Sequence, residues 1–391
     1  MSSVYRAPGM PALLLVTLAG FTGYAVLLPT AALWVLRGGA DLAGAGLVNG
    51  VVLLFTVLTQ PVIPALLRRF GWGPVLATGV GLMGTPSLAH LLTDALAPTL
   101  ALSAVRGLGF GVLTVTGSAA VAELVDPRRR GAAVGAYGLA IALPLVAVLP
   151  VAPWLAEEVS FAVVFGLGAL PLLGIPGALA LGRHFHQRAA SEPAATPPST
   201  SAVAPTGRLR GIAPLIPPML LLLGITLPGG AVLTFAPQLV DDPGLVVLLL
   251  VALNATAALA RWRIGSFADI KGPGAFVPPL VVLGTLGMAG VALAVHWTAP
   301  VLLVVSGAVL GIAYGGLQNL TLLLSFAAVE RGRYGTASAV WNIGFDLGTA
   351  LGSVLIGAIA AGADFTVALL VAAGITLATL PLTLVGRRIA R

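Results

Sequence analysis

Two short polar stretches, PALLRRFG at residues 64–71 and GSFADIKG at residues 265–272, lie 201 residues apart and resemble each other. Long apolar runs flank both of them. A second pair, GAAVGAY at residues 131–137 and GTASAVW at residues 335–341, is separated by 204 residues. Because the two offsets nearly agree, they predict a duplicated chain. Duplicated halves with a site between them are typical of membrane transporters.

The composition indicates that lipid is the solvent. Hydrophobic residues make up 58% of the 391 residues and charged residues only 8%, against about 25% charged residues in soluble proteins. A bilayer core needs about 20 apolar residues per helix. We therefore predict an all-α membrane protein with twelve transmembrane helices in two pseudo-symmetric six-helix bundles. The predicted spans are residues 10–36, 44–67, 74–94, 98–124, 131–153, 160–182, 211–238, 243–263, 275–296, 299–327, 335–361 and 365–386.

The breaks between the spans differ in charge. Of the 20 basic residues, 18 fall in the two tails and in alternate breaks, whereas the other breaks carry mostly acids. Since short cytoplasmic loops are rich in Lys and Arg, both termini are expected to be cytoplasmic, in a multi-pass protein of the cell (inner) membrane. The same loops are expected to touch membrane lipids, so the net charge of +7 does not indicate nucleic-acid binding.

A stretch rich in Pro, Ala, Thr and Ser divides the chain. It predicts a first bundle at residues 1–185, a flexible cytoplasmic linker at residues 186–209 and a second bundle at residues 210–391. The chain has no Cys, which excludes a disulfide framework and a thiol nucleophile. No Walker-type phosphate-binding loop is present, so ATP is not the expected energy source.

Only Arg106 and Asp346 lie well inside predicted spans. A charge near the bilayer centre costs at least about 2.5–3.5 kcal/mol, so it should be paired, protonated or hydrated. Desolvation favours the protonated form of a carboxyl group, which makes Asp346 a candidate proton carrier or ligand for a substrate cation. Arg106 stays charged and could bind an anionic group or tune a carboxyl. A purely structural ion pair or hydrogen bond is the alternative for both residues.

Polar residues recur on one face of several spans, at the spacing of helical turns. We interpret these faces as linings of a cavity, although each hydroxyl could instead bond its own helix. On span eleven, glycines at 344, 348 and 352 occupy the opposite face and predict close helix packing. The polar residues are Tyr24 on span one, Asn49, Thr56 and Gln60 on span two, Tyr314, Gln318, Thr321 and Ser325 on span ten, and Asn342, Asp346, Thr349 and Ser353 on span eleven.

With these features, the chain resembles the major facilitator superfamily. That family carries a loop motif of the form G-x-L-x-D-R-x-G-R-K after its second span, often repeated after the eighth. The second copy here keeps Gly265, Asp269 and Gly272, and the first keeps Leu66, Arg69 and Gly71. The stretch RGLGFG at residues 106–111 is similar to a span-four pattern of proton-coupled efflux members. Span five lacks the Gly-Pro pair usual in those members.

The resemblance implies a secondary transporter, and charged residues of its inner loops are expected to form the gate. We expect Glu123 to pair with Arg69 or the Arg128–Arg130 cluster, and Asp269 to lie at a helix N-terminus or pair with Arg333. The expected function is proton-coupled efflux of a small organic solute by a monomer without cofactor or metal. Uptake of a small metabolite stays open, because direction is not encoded in static residues. A polytopic membrane enzyme is a distant alternative, since no His has nucleophile–base or metal-ligand spacing.

Overall fold

The computed structural model describes residues 7–124, 130–191, 212–330 and 334–383, and all regular structure within these ranges is helical. The helices follow one another along the chain, with short breaks between most of them. Their bounds are α1 Met10–Arg37, α2 Leu42–Thr59, α3 Ile63–Phe70, α4 Trp72–Ala89, α5 Leu96–Leu124, α6 Arg130–Ala147, α7 Ala152–Trp154, α8 Phe161–Gly168, α9 Ile175–Ser191, α10 Ile216–Leu239, α11 Pro243–Lys271, α12 Pro273–His296, α13 Pro300–Ala327, α14 Tyr334–Gly362 and α15 Phe365–Ala378.

Within the described ranges, ten helices are long and apolar enough to cross a membrane. Residues 137–159 would make an eleventh span if two helices joined at a bend of 46° are counted as one. The twelfth predicted span contains α15, a shorter apolar helix of 14 residues. Lipid-embedded helices tolerate such breaks when neighbouring helices satisfy the freed backbone groups.

The two related loops fold differently. Span two ends at Thr59, and α3 begins only at Ile63, because Pro61 has no N–H to donate within a helix. At the equivalent position of the second half, 201 residues on, the chain has Trp262. There the apolar span ends at Ile264, close to the predicted residue 263, but the helix α11 itself continues to Lys271. Similarly, α9 continues to Ser191, which makes residues 186–191 helical; residues 192–209 of the predicted linker lie outside the described ranges.

Close helix contacts repeat between the halves of the chain. A Cβ atom on Gly107 would overlap the carbonyl oxygen of Val52, and one on Gly311 would overlap that of Leu253. These two contacts are related by the same offsets of 204 and 201 residues that relate the sequence motifs. Glycines therefore let α5 approach α2, and α13 approach α11, in the same way.

The two ends of the bundle differ in charge. We call the end that carries Arg68, Arg69 and Arg183 the basic face, and the end that carries Asp41, Asp94 and Asp364 the acidic face. Helix α1 runs from the basic to the acidic face, where Arg37 forms a partly exposed ion pair with Glu157. The halves of the chain meet chiefly where α2 crosses α14.

Candidate functional site

Asp346 lies at the centre of the contact between the halves. Its side chain is 6% exposed, and among the acidic residues whose side chains the structure describes it is the one that is buried. The Nε2 atom of Gln60, just beyond the end of α2, donates a hydrogen bond of 2.8 Å to its Oδ2 atom. This bond joins α14 to the first half of the chain. Sequence analysis places Gln60 on a polar face but misses it as the partner of Asp346.

Two tyrosines lie within electrostatic range of Asp346, one from each half of the chain. Tyr24 of α1 stacks on Phe110 of α5, with ring centroids 4.2 Å apart and planes at 3°. Tyr314 of α13 packs against Gly229 of α10, where a Cβ atom would overlap its ring. Both tyrosines are buried. Tyr24, Tyr314 and Asp346, which sequence analysis places on polar faces of three spans, therefore lie in one region of the structure.

Arg106 lies on α5, close to Tyr24, and is 5% exposed. It has no hydrogen bond or ion pair with any residue that the structure describes, and its Nη1 atom is fully buried. The predicted possibility of a direct pair with Asp346 is therefore not realised in this structure. Instead, Tyr24 is within range of both charges, Arg106 and Asp346.

Arg261 is a second arginine of this region; sequence analysis counts it among the basic residues of the inner breaks, at the end of span eight. It lies within α11, and its Nη1 atom donates to Oε1 of Gln318 at 3.2 Å. Its backbone oxygen accepts from Asn319 at 2.8 Å. Arg261 is also within electrostatic range of Tyr314. The repeat offset could have found it, since Arg261 is equivalent to Gln60.

Other predicted cavity residues lie in packed contacts. Asn49 is 2% exposed and donates to the Leu28 oxygen at 2.6 Å and to Thr234 Oγ1 at 3.1 Å. Asn49 lies eleven positions before Gln60, about 16 Å along a helix, and so belongs to the acidic side of the contact. Asn342 is half-buried and donates to the Ser338 oxygen of its own helix.

The polar face of α14 does not continue into an opening. Thr349 and Ser353 are buried, and each hydroxyl donates to a carbonyl of α14. The prediction that they line a cavity is therefore wrong, and the alternative of bonding to their own helix is correct. The predicted glycine stripe is confirmed, because Gly344, Gly348 and Gly352 lie directly against α10.

The predicted gating pairs are only partly described. Arg69 lies over the ring of Phe70, 5.2 Å from its centroid, and forms no ion pair with Glu123. Glu123 is exposed, and its backbone oxygen accepts from Arg188 at 2.8 Å. The side chain of Asp269 lies outside the described part of the structure, as do Arg333, Arg128 and Arg129 and the side chain of Arg130.

A helical membrane bundle whose halves meet around buried charged and polar side chains defines the class of solute transporters. The chain belongs to the major facilitator superfamily, whose sequence model, "Major Facilitator Superfamily", matches residues 13–331. It is accordingly a transporter and not an enzyme. The predicted resemblance of its loop motifs to those of this superfamily is therefore confirmed. The narrower likeness to proton-coupled efflux members stays a prediction.

Solved structures of transporters share this fold. A bacterial homolog to the human lysosomal transporter Spinster, in an inward-facing and unoccupied conformation, superposes with a TM-score of 0.76 at 14% identity, covering 100% of this chain and 98% of that one. Nucleoside transporter NupG gives 0.73 at 14% identity over 97% and 98%. Peptide transporter POT gives 0.74 at 16% over 98% and 95%. Identities this low establish the fold alone.

One curated protein is similar over a short segment. It is described as "Probable 4-methylmuconolactone transporter" from Cupriavidus pinatubonensis, and it is 38% identical over 72 residues. The matching segment spans 17% of this chain and 17% of that protein.

Proposed function

We propose that this protein is a secondary active transporter that couples the movement of a small organic solute to protons by alternating access. In this proposal it is a monomer with twelve spans and cytoplasmic termini in the inner membrane. The observation that carries the proposal is the hydrogen bond from Gln60 to the buried carboxyl of Asp346. This bond links the carboxyl group of Asp346, which can take up a proton, to the contact between the two halves. That contact must change when the halves rock.

The coupling follows from the chemistry of that bond. A hydrogen bond to a carboxylate is roughly twice as strong as one between neutral groups. Proton binding to Asp346 removes its charge and so weakens the link between α14 and the end of α2. A ligand or proton shifts a conformational equilibrium by its difference in affinity for the two states. Protonation therefore favours the state in which this part of the contact is open.

Efflux is the first direction to test, because the span-four stretch RGLGFG resembles proton-coupled efflux members. Uptake is the second candidate, and one feature of α6 favours it. Efflux members usually carry a Gly-Pro pair in span five, whereas here Pro144 and Pro150 stand apart from the glycines. Vesicles with the protein in a known orientation and an imposed pH gradient distinguish the two directions.

The test compares wild type with Asp346→Asn in proteoliposomes, screened with small organic acids, amines and neutral compounds. We expect Asp346→Asn to lose accumulation driven by a pH gradient while keeping counterflow, since exchange of bound solute needs no net proton movement. Asp94→Asn, which changes an exposed carboxyl on the acidic face, is the matched control and should transport normally. Full gradient-driven accumulation by Asp346→Asn would refute the role of this residue in coupling.

A further inference from the structure

A row of buried polar atoms lies on one side of α5. Thr99, Ser103 and Arg106 are spaced by four and three residues, which places them on one face of the helix. Each has a side-chain atom that is fully buried and has no hydrogen-bond partner among the described residues: Thr99 Oγ1, Ser103 Oγ and Arg106 Nη1. Their side chains are 0%, 0% and 5% exposed. Native structures leave few buried polar atoms unsatisfied, so such a row requires an explanation.

A fourth unsatisfied atom comes from the end of α4. The ring of His90 is completely buried, with Nδ1 2.7 Å from the carbonyl oxygen of Pro86 and Nε2 without a partner among the described residues. Because a carbonyl can only accept, Nδ1 carries the proton and neutral His90 offers Nε2 as an acceptor. His90 is also within electrostatic range of Arg106. The unsatisfied atoms therefore come from two helices around the same guanidinium.

Arg106 is the residue that decides the chemistry of this cluster. A guanidinium stays charged in a protein and presents a planar fork of donors that matches a carboxylate. Burial of such a charge without a partner is unfavourable. Asp346, the one described acidic residue that is buried, is engaged by Gln60 instead. The donors of Arg106, Ser103 and Thr99 thus lie along one face of α5 with no anion among the described residues bound to them.

The surroundings of Arg106 on the side of α1 are aromatic. Phe110, one turn after Arg106, stacks on Tyr24 and meets Phe21 edge-on at 5.4 Å. Tyr24 in turn is within electrostatic range of both Asp346 and Arg106. A carboxylate would supply the missing partner of the donors, and an apolar body would match the aromatic surface beside them, whereas a cation would be repelled by the guanidinium.

We propose that Arg106 binds the carboxylate of the transported solute, with Ser103 as a second donor, and that the substrates are small, largely apolar monocarboxylates. This rests on the proposed transport function but not on the role of Asp346. Among the described residues, Arg106 has no ion pair or hydrogen bond, and it lies in a buried site. The carboxylate of the substrate compensates the charge of Arg106. Substrate binding therefore also removes the free-energy cost of burying an unpaired guanidinium.

The experiment measures binding to the full chain in nanodiscs, without a pH gradient, with benzoate as the probe and its neutral analogue benzamide for comparison. We expect benzoate to bind at least tenfold more tightly than benzamide. Arg106→Gln should remove this preference, and Arg106→Lys should keep part of it, because the charge remains while the planar fork is lost. Arg263→Gln, which removes an exposed arginine stacked on Trp262, is the control and should bind like wild type.

Thermal stability separates a binding role from a structural one. If a residue serves only to bind substrate, its replacement leaves the unliganded protein equally stable or makes it more stable, as is common for functional sites. We expect Arg106→Gln to have an equal or higher Tm without ligand and to lose the benzoate-induced increase. A lower Tm of unliganded Arg106→Gln, or equal affinity of wild type for benzoate and benzamide, would overturn the proposal.

The variant Asp346→Asn tests the proton role separately from the monocarboxylate site. If it binds benzoate normally but fails to couple transport to protons, both proposals stand. If wild type binds benzoate through Arg106 while Asp346→Asn still accumulates solute from a pH gradient, only the proton role fails. If coupling depends on Asp346 but benzoate and benzamide bind alike, only the monocarboxylate site fails.

Discussion

The crossing of α2 with α14 and the crossing of α6 with α11 are equivalent in the duplicated chain, yet they pack differently. In the first, Cβ atoms on Gly46 and Gly50 would overlap α14, and one on Gly357 would lie 2.6 Å from the Leu42 oxygen. The residues equivalent to Gly46 and Gly50 on α11 are Val247 and Val251. A groove of about 640 Å³ opens at the acidic face between α11 and the segment that follows α6, and it is lined by Val151, Trp154, Asp242, Gly244, Leu245, Val247, Leu248 and Pro300.

The difference shows that two duplicated halves can pack differently at equivalent positions. Small residues let membrane helices approach until their backbones touch, and this packing stabilises association where lipid provides no hydrophobic drive. At the equivalent positions α11 has valines, and it packs less closely against α6 than α2 does against α14. The α2–α14 crossing therefore resists separation at the acidic face more than the α6–α11 crossing does.

The largest effect is expected for Gly46→Val, which copies the residue of the other crossing. Its side chain would meet the backbone oxygen of Ser353, which cannot move to a new rotamer. Overpacking typically costs about 1–3 kcal/mol, equivalent to roughly 5- to 150-fold in a conformational equilibrium. Spin labels at Leu47 and Leu351 should report separation of the helices, and only introduced cysteines are labelled because the chain has none.

Val247→Gly is the matched control for that substitution. It enlarges an existing groove and removes no close contact, so the Leu47–Leu351 distance distribution should stay that of wild type. A second label pair at Val151 and Leu248, across the groove, should broaden only in Val247→Gly. If Gly46→Val leaves the first distribution unchanged, glycine packing is not what distinguishes the two crossings.

Gln60→Ala should have the next largest effect, since it removes the polar link at the other end of the same crossing. A hydrogen bond to a charged group contributes about 1.5–3 kcal/mol, and the lower end of that range corresponds to roughly a tenfold shift toward separation at a pH where Asp346 is ionised. The shift should vanish in the Asp346→Asn background, where the charge is absent. An equal shift in both backgrounds would show that Gln60 acts through something other than the Asp346 carboxylate.

The equivalence of the two crossings could be predicted from the sequence, but the difference in how they pack could not. Apolar run length located the helices, and the offset of 201 residues makes Gln60 and Arg261 equivalent, although the sequence interpretation did not draw that conclusion. The pattern did not reveal that Pro61 follows the end of α2 while Trp262 lets α11 continue to Lys271. Nor could helical periodicity predict which polar residues bond across the halves, because Ser353 and Asp346 share one face, yet Ser353 bonds its own helix and Asp346 bonds Gln60.

Asn49→Ala tests the acidic half of the first crossing and should have a smaller effect. Its amide bonds the Leu28 oxygen and Thr234, so the substitution removes one contact within the first half and one between the halves. Neutral hydrogen bonds contribute about 0.5–1.5 kcal/mol each. We expect a few-fold shift in the Leu47–Leu351 distances and unchanged benzoate binding. A loss of benzoate affinity would instead place Asn49 in the substrate site, as the sequence pattern predicts.

The smallest effect is expected for Arg261→Gln, which gives both halves the same residue at the equivalent position. Gln60 bridges the halves because its partner is Asp346, but 204 residues before Asp346 the chain has Ala142, which offers no side-chain acceptor. Arg261 bonds Gln318 within its own half, and interhelical bonds of this kind average about 0.6 kcal/mol in membrane proteins. The substitution should therefore lower Tm by no more than about 2 °C and leave both label distances unchanged. A shift as large as that of Gln60→Ala would mean that Arg261 also links the halves, and the two crossings would then differ in packing alone.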